Sequence, residues 1–184
     1  MLNFLRTVTL YKIRILVLVP PLVILLLNHP LVQEYDLSHV FRVNSGAAPL
    51  STEVIAAFEK KFPHANLTQA YGLTETTACI TATPHYLAGD LPKGSVGRLV
   101  GSTQVKIVGR DGKEVAKGGE GEIMVNGPQC ITLGYLGDNK SSEELHDEEG
   151  WLKTGDWGKI DENGWLFITE RVKEMIKVSL LLDL

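Results

Sequence analysis

Three short segments carry residues whose types could do chemistry: Tyr71-Gly72-Leu73-Thr74-Glu75, Thr154-Gly155-Asp156, and Arg171-Val172-Lys173-Glu174-Met175-Ile176-Lys177. Thr74 offers a hydroxyl and Gly72 a backbone that a phosphate can approach, the ingredients of an anion cradle without a lysine. Glu75 has no positive neighbour in sequence and would repel a phosphate held at Thr74 unless a cation stood between them. Mg²⁺, which binds through one or two carboxylates plus substrate phosphates, is the natural mediator. Asp156, an acceptor-only carboxylate beside a glycine, is suited to the two vicinal hydroxyls of a ribose. Lys173 and Lys177 would share a face if their segment were helical, with Arg171 two residues ahead. Together these groups form an inventory for holding a nucleotide. Taken singly, each also fits a plainer role: a surface Glu at a strand end, a turn Asp in an Asp/Gly-rich loop, and a solvated basic face near a chain end.

The elements that must position these groups can be read from periodicity. Ile13 to Val19 is expected to be a buried strand, Pro20-Pro21 a turn, and the apolar run from Leu22 a core helix. Val40 to Asn44 reads as a short buried strand, followed by the small-residue loop Ser45-Gly46-Ala47-Ala48, with Pro49 in the first turn of a helix. Val54, Phe58 and Phe62 recur at four-residue steps beside Ile55, giving an amphipathic helix that Pro63 ends. Leu67 to Ala70 is the next strand. Strand, loop, helix, strand is an α/β layer, and both Ser45-Gly46-Ala47-Ala48 and the Tyr71 segment fall at carboxyl ends of strands, where such sheets place ligands. After about Gly94 the texture turns to β: Val105 and Ile107 alternate with polar residues, and Asp111-Gly112 is a hairpin signal. Gly121 to Val125 begins another strand, and Asn163-Gly164 is a second turn ahead of Trp165 to Ile168. Ser141 with Glu144 reads as a capping box for a short helix. The fold class expected is α/β, a β-α sheet layer followed by a smaller β lobe.

Composition excludes several classes. A net charge of −4 over 184 residues gives no reason to expect the basic face that nucleic acid would need, so nucleic acid is not an expected partner. Cys79 and Cys130 lie far apart in apolar surroundings without metal or disulfide spacing, which suits buried, inert thiols in a reducing compartment. The apolar stretch Ile13 to Leu27 is broken by Pro20-Pro21 and is shorter than the ~20 residues a membrane span needs. No small-residue cleavage site follows it in register.

The three segments, with Ser45-Gly46-Ala47-Ala48-Pro49-Leu50 and Gly121-Glu122-Ile123-Met124-Val125-Asn126-Gly127 between them, resemble in order and wording the adenylate-forming superfamily, most closely the 4-coumarate:CoA ligase-like enzymes. The resemblance runs from about Tyr11 to Lys177. It implies part of the large N-terminal domain, lid domain absent, organised as residues 1–93 (α/β, adenine and phosphate motifs), 94–170 (β-rich, ribose Asp) and 171–184 (start of a hinge). The implied activity is a carboxylic acid:CoA ligase that makes an acyl-adenylate from ATP and then a thioester with CoA, with Mg²⁺. Alternatives are an inactive truncated isoform that binds adenylate or a partner, and a luciferase-like or peptide-synthetase adenylation module.

By resemblance, Ser45, Gly46, Ala47 and Ala48 pack the adenine, Gln69, Tyr71 and Gly72 line the adenylate, and Thr74 contacts its phosphate. Glu75 ligates magnesium, Asp156 holds the ribose, and Arg171 reaches ribose and phosphate. Lys173 marks the hinge and Lys177 serves the thioester-forming half, so Thr74, Glu75 and Lys177 are the catalytic set; Thr76 to Ala82 would line the acyl pocket. Ala70 replaces a frequent Gly, Met124 a Cys and Asn126 an Arg, which leaves the acid unnamed. No Ser/Thr/Gly-rich phosphate loop and no lid lysine are found, so the chain alone is expected to be inactive, and self-association is expected because its apolar N-terminal strand lacks covering strands. Cytoplasm is the expected location, or the peroxisome for a full-length parent.

Overall fold

The computed structural model describes residues 1–84, 86–87, 91–128 and 134–171, the last by its backbone. The chain is α/β. It opens with helix α1 (Leu2–Leu10), strand β1 (Ile15–Leu18) and helix α2 (Pro20–Asn28). A 3₁₀ turn at Pro30–Glu34 then leads to strand β2 (Arg42–Ser45), helix α3 (Thr52–Lys61) and strand β3 (Asn66–Gln69). The three strands form a parallel sheet in the order β1-β2-β3, with Leu16 opposite Val43 and Val43 opposite Leu67. One face of this sheet is packed: Leu16, Leu18 and Val43 join Leu5 and Val8 of α1, Val23 and Leu26 of α2, and Ile55 and Phe58 of α3 in one core. The other face is open along β1, where Val17 is 79% exposed.

Several elements depart from the sequence expectations. Helix α1 was not anticipated; Leu5 and Val8 alone supply its buried stripe, too few repeats to stand out from an apolar N-terminus. The two prolines do not turn the chain between β1 and a later helix. They open α2, because the first helical N–H groups have no intrahelical acceptor and proline gives up nothing there; the Val19 carbonyl accepts instead from Leu22 and Val23 at 2.9 and 3.2 Å. Pro49 lies outside α3, whose N-cap is Ser51, its hydroxyl accepting from Val54 N at 3.4 Å. The helix ends at Lys61 before Pro63, as the periodicity predicts.

The β half begins earlier than the change of texture. Strand β4 (Thr81–Ala82) pairs antiparallel with β5 (Arg98–Leu99), and Ile80 is fully buried in a second core with Val96, Ile107, Ile123, Val125 and Leu166. Strands β6 (Gln104–Val108), β7 (Gly121–Asn126), β8 (Leu152–Ile160) and β9 (Leu166–Arg171) form an antiparallel meander, with the short helix α4 (Asn139–Glu144) between β7 and β8. Asp111-Gly112 closes only a local turn, Gly109 N reaching Lys113 O at 2.8 Å, and the true partner of β6 starts nine residues beyond Gly112 at Gly121. The Asn163-Gly164 turn does join its two strands, closed by Asp161 N to Trp165 O at 3.0 Å. Helix α4 is capped three residues ahead of the expected box: Asp138 accepts from Ser141 N at 3.0 Å, so Ser141 sits inside the helix. Among the described residues no helix is long and apolar enough to cross a membrane.

Candidate nucleotide site

The first loop of the site leaves the carboxyl end of β2. Gly46 N bonds Leu18 O at 3.1 Å and Ala70 N bonds Ser45 O at 2.9 Å, which ties the start of the loop to both neighbouring strand ends. Gln69, 7% exposed, turns its Oε1 to accept from Leu50 N at 2.8 Å and so fastens the loop's far end. Its side chain holds the loop from within. Between these anchors Ala47, Ala48 and Pro49 are exposed, and Ala47 adopts φ +72, a left-handed conformation that costs an alanine about 1 kcal/mol. The tethers at both ends hold it there.

The second loop is built on a close approach of backbone. Tyr71 exchanges hydrogen bonds with Thr81 at 3.2 and 3.0 Å, folding the segment between them back on itself. A Cβ on Gly72 would lie 2.1 Å from Ala78 O and 2.5 Å from Ala78 C, so only glycine fits. The segment then makes a 3₁₀ turn over Thr74–Thr76. Thr76, 1% exposed, locks it: its Oγ1 accepts from Leu73 N at 2.9 Å and donates to Leu73 O at 3.0 Å. Thr77 and Ala78 follow with φ +51 and +78. Thr74 is left exposed and Glu75 half-buried. Of the stretch Thr76 to Ala82, Thr76, Ile80 and Thr81 are packed inside and Thr77 and Ala78 are open. Cys79 is half-buried, not buried, and donates to Thr81 O at 3.4 Å; Cys130 lies outside the described residues.

The third component is a bulge in β8. Lys153 pairs with Met124 and Trp157 with Glu122, so Thr154, Gly155 and Asp156 together stand opposite the single residue Ile123. Extra residues bend a strand and re-aim side chains. Gly155 takes φ +71 within the bulge, and Thr154 Oγ1 closes it by donating to Ile123 O at 2.6 Å and accepting from Asp156 N at 3.1 Å. The carboxylate of Asp156, 3% exposed, thereby meets the second loop: Tyr71 Oη donates to Asp156 Oδ2 at 2.7 Å, across 85 residues of sequence. Arg171 is the cross-strand partner of Asp156 in the β8–β9 ladder, which places its backbone at the same point. Its side chain, Lys173 and Lys177 lie outside the described residues.

Glu75 has a partner that sequence spacing does not reveal. Tyr135 Oη donates to Glu75 Oε1 from 60 residues away, and this hydrogen bond to a carboxylate holds the Tyr135 phenol above its ordinary range. Among the described residues no three His, Cys, Asp or Glu side chains converge as a metal cage. One half-buried carboxylate suits Mg²⁺ all the same, since that ion keeps several waters and takes its other ligands from phosphates. A cleft of about 380 Å³ beside β3, lined by Ile55, Leu67, Pro92 and Trp165, shares only Gln69 with this set. The hydroxyls and carboxylates converge elsewhere, so the cleft is not the candidate site.

A parallel sheet whose strand-end loop reaches a bulged antiparallel meander through Tyr71 and Asp156 defines an α/β protein. The chain belongs to the AMP-binding enzyme family, which it matches over residues 2–136. It is 39% identical to 4-coumarate–CoA ligase-like 1 of Arabidopsis thaliana over 180 residues, 95% of this chain and 33% of that protein. Against luciferin 4-monooxygenase of Nipponoluciola cruciata it is 41% identical over 176 residues, 95% of this chain and 31% of that protein. The solved structure of the luciferase-like enzyme from the nonluminescent Zophobas morio mealworm aligns with TM-score 0.78 and 30% identity, covering 91% of this chain and 40% of that one. The chain thus spans about a third of the length of the curated relatives it matches. The relatives it matches thus include a 4-coumarate–CoA ligase-like protein and a luciferin 4-monooxygenase.

Proposed function

We propose that this chain forms the adenylate-binding part of a 4-coumarate:CoA-ligase-like carboxylic acid:CoA ligase. The observation that carries the reading is the 2.7 Å bond from Tyr71 Oη to Asp156, which supports a site where a ribose held by Asp156 would lie beside a phosphate at the Tyr71 loop. In the reaction a substrate carboxylate oxygen bonds the α-phosphorus of ATP as pyrophosphate leaves; the CoA thiol sulfur then bonds the acyl carbon as AMP leaves. Ser45, Gly46, Ala47 and Ala48 would pack the adenine, with Gln69 holding their loop through Leu50 N. Asp156 would accept from the ribose hydroxyls and Thr74 would donate to the phosphate, while Gly72 lets the backbone come close. Glu75 would hold Mg²⁺, which supplies charge neutralisation at the phosphates. Arg171, Lys173 and Lys177 keep the roles that resemblance gives them, with Lys177 in the thioester-forming half. The nucleotide would then lie between residues 1–93 and 94–170, with the hinge starting at 171.

A luciferase-like reading is the alternative, favoured by the 41% identity to luciferin 4-monooxygenase, no lower than that to the ligase. The two readings share the adenylate-binding set and differ in whether CoA takes the acyl group. Calorimetric titration of the chain with a non-hydrolysable acyl-adenylate tests what they share. Saturable one-to-one binding, competed by AMP, is expected; no binding up to about 1 mM, a free energy weaker than about −4 kcal/mol, contradicts it.

We also propose that the chain self-associates. Among the described residues strand β1 is an edge of its sheet, and Ile15 and Val17 on it and Val19 just after it stand 43, 79 and 41% exposed. An exposed apolar edge strand is a template for pairing with another chain. Sedimentation velocity should show oligomers for the native chain and a shift toward monomer for Val17→Lys. A native chain that stays monomeric at high concentration rules the proposal out.

A further inference from the structure

We propose that Tyr135 is a positioning residue for Glu75, fixing which carboxylate oxygen is presented to a metal–nucleotide complex; this rests on the reading of Glu75 given above. Tyr135 Oη donates to Glu75 Oε1, which occupies that oxygen and leaves Oε2 the better placed for a single bond to a metal. A carboxylate that ligates a metal is ordinarily oriented by a hydrogen bond from outside the coordination sphere, and loss of such a partner weakens metal binding.

The tyrosine is itself fastened. Its backbone N–H donates to Ser142 Oγ at 2.7 Å, and that hydroxyl donates in turn to Asp138 O at 2.6 Å. Asp138 N closes the turn onto Tyr135 O at 3.2 Å, while the Asp138 carboxylate accepts from Ser141 N at 3.0 Å. A phenol held through its main chain in this way reaches Glu75 from a fixed base, although the residue is 43% exposed. Neither Tyr135 nor Ser142 touches the Tyr71–Asp156 pair through any of these bonds. Tyr135 thus bears on Glu75 and Tyr71 on Asp156.

The test uses the chain with AMP in the presence of a chelator and with ATP plus Mn²⁺, reading Mn²⁺ affinity from water-proton relaxation. Tyr135→Phe keeps the ring and removes only the donor. Metal-free AMP affinity is expected to stay within about twofold, while Mn²⁺ affinity of the ATP complex falls about tenfold or more. Ser142→Ala, which loosens the base, should lower Mn²⁺ affinity in the same direction by less. In a Glu75→Gln background Tyr135→Phe should have no further effect. If Glu75→Gln weakens Mn²⁺ binding and Tyr135→Phe does not, the positioning role is overturned while the site reading stands. If the native chain binds AMP but ATP shows no Mn²⁺ dependence that Glu75→Gln removes, the metal role of Glu75 falls and takes the clamp with it.

Discussion

Gly72→Ala is expected to lower the melting temperature by about 6–12 °C and to weaken acyl-adenylate binding at least tenfold. The added methyl carbon would sit 2.1 Å from the Ala78 carbonyl oxygen, 2.5 Å from its carbon and 2.8 Å from Cys79 Cα. All three are backbone atoms, so no side-chain rotation relieves the clash. The segment that must move is already pinned by Ala78 N to Leu73 O at 3.0 Å and by the two bonds of Thr76 Oγ1. Forcing a group into such a site costs about 3 kcal/mol, at the upper end of overpacking effects, which gives the stated shift for a chain of this size. Displacing the turn also moves Thr74 and Glu75 together, and losing one charge-assisted hydrogen bond is enough for the tenfold effect. Differential scanning calorimetry and the same titration read both. A variant that melts with the native chain and binds equally well would mean that the Gly72–Ala78 contact is not a feature of the folded protein.

The second large effect is expected from Asp156→Ala: a loss of roughly 1.5–3 kcal/mol in AMP affinity, or about ten- to 150-fold. The carboxylate is 3% exposed, and hydrogen bonds to a charged acceptor shielded from water are stronger than those at the surface. Removing it also takes away the acceptor of the Tyr71 hydroxyl. Asp156→Asn, which keeps the volume and one acceptor oxygen, separates the two consequences: its loss in affinity should be smaller, and its melting temperature close to native. Equal AMP affinity for native chain and Asp156→Ala in a calorimetric titration would remove Asp156 from the site.

The sequence made the parallel layer legible because its strands are short apolar runs bounded by small residues. The expected Val40–Asn44 and Leu67–Ala70 lie within two residues of Arg42–Ser45 and Asn66–Gln69. What escaped was set by tertiary partners. Pro20-Pro21 reads as a break in isolation and becomes a helix start once Val19 O is available to Leu22 and Val23. Asp156 taken singly fits a turn in an Asp/Gly-rich loop, yet it belongs to a bulge that exists only because Ile123 faces three residues of β8. Tyr135 carries no motif of its own, and its bond to Glu75 spans 60 residues, so no local spacing announces it. Thr76 was assigned by resemblance to an acyl pocket; its burial and its two bonds to Leu73 make it the lock of the turn. The ribose role of Asp156 came from resemblance, and the bulge and Tyr71 supply the physical means by which such a role could be met.

We propose that Asp156 recognises a ribose diol, and comparison of AMP with 2′,3′-dideoxy-AMP on the native chain and on Asp156→Ala tests this. The native chain is expected to prefer AMP by about tenfold or more, and the variant to bind both nucleotides with the same weakened affinity, since a site built around a hydrogen-bond acceptor discriminates only while that acceptor is present. Equal binding of the two nucleotides by the native chain, or a preference that survives in Asp156→Ala, would exclude Asp156 as the acceptor of the ribose hydroxyls.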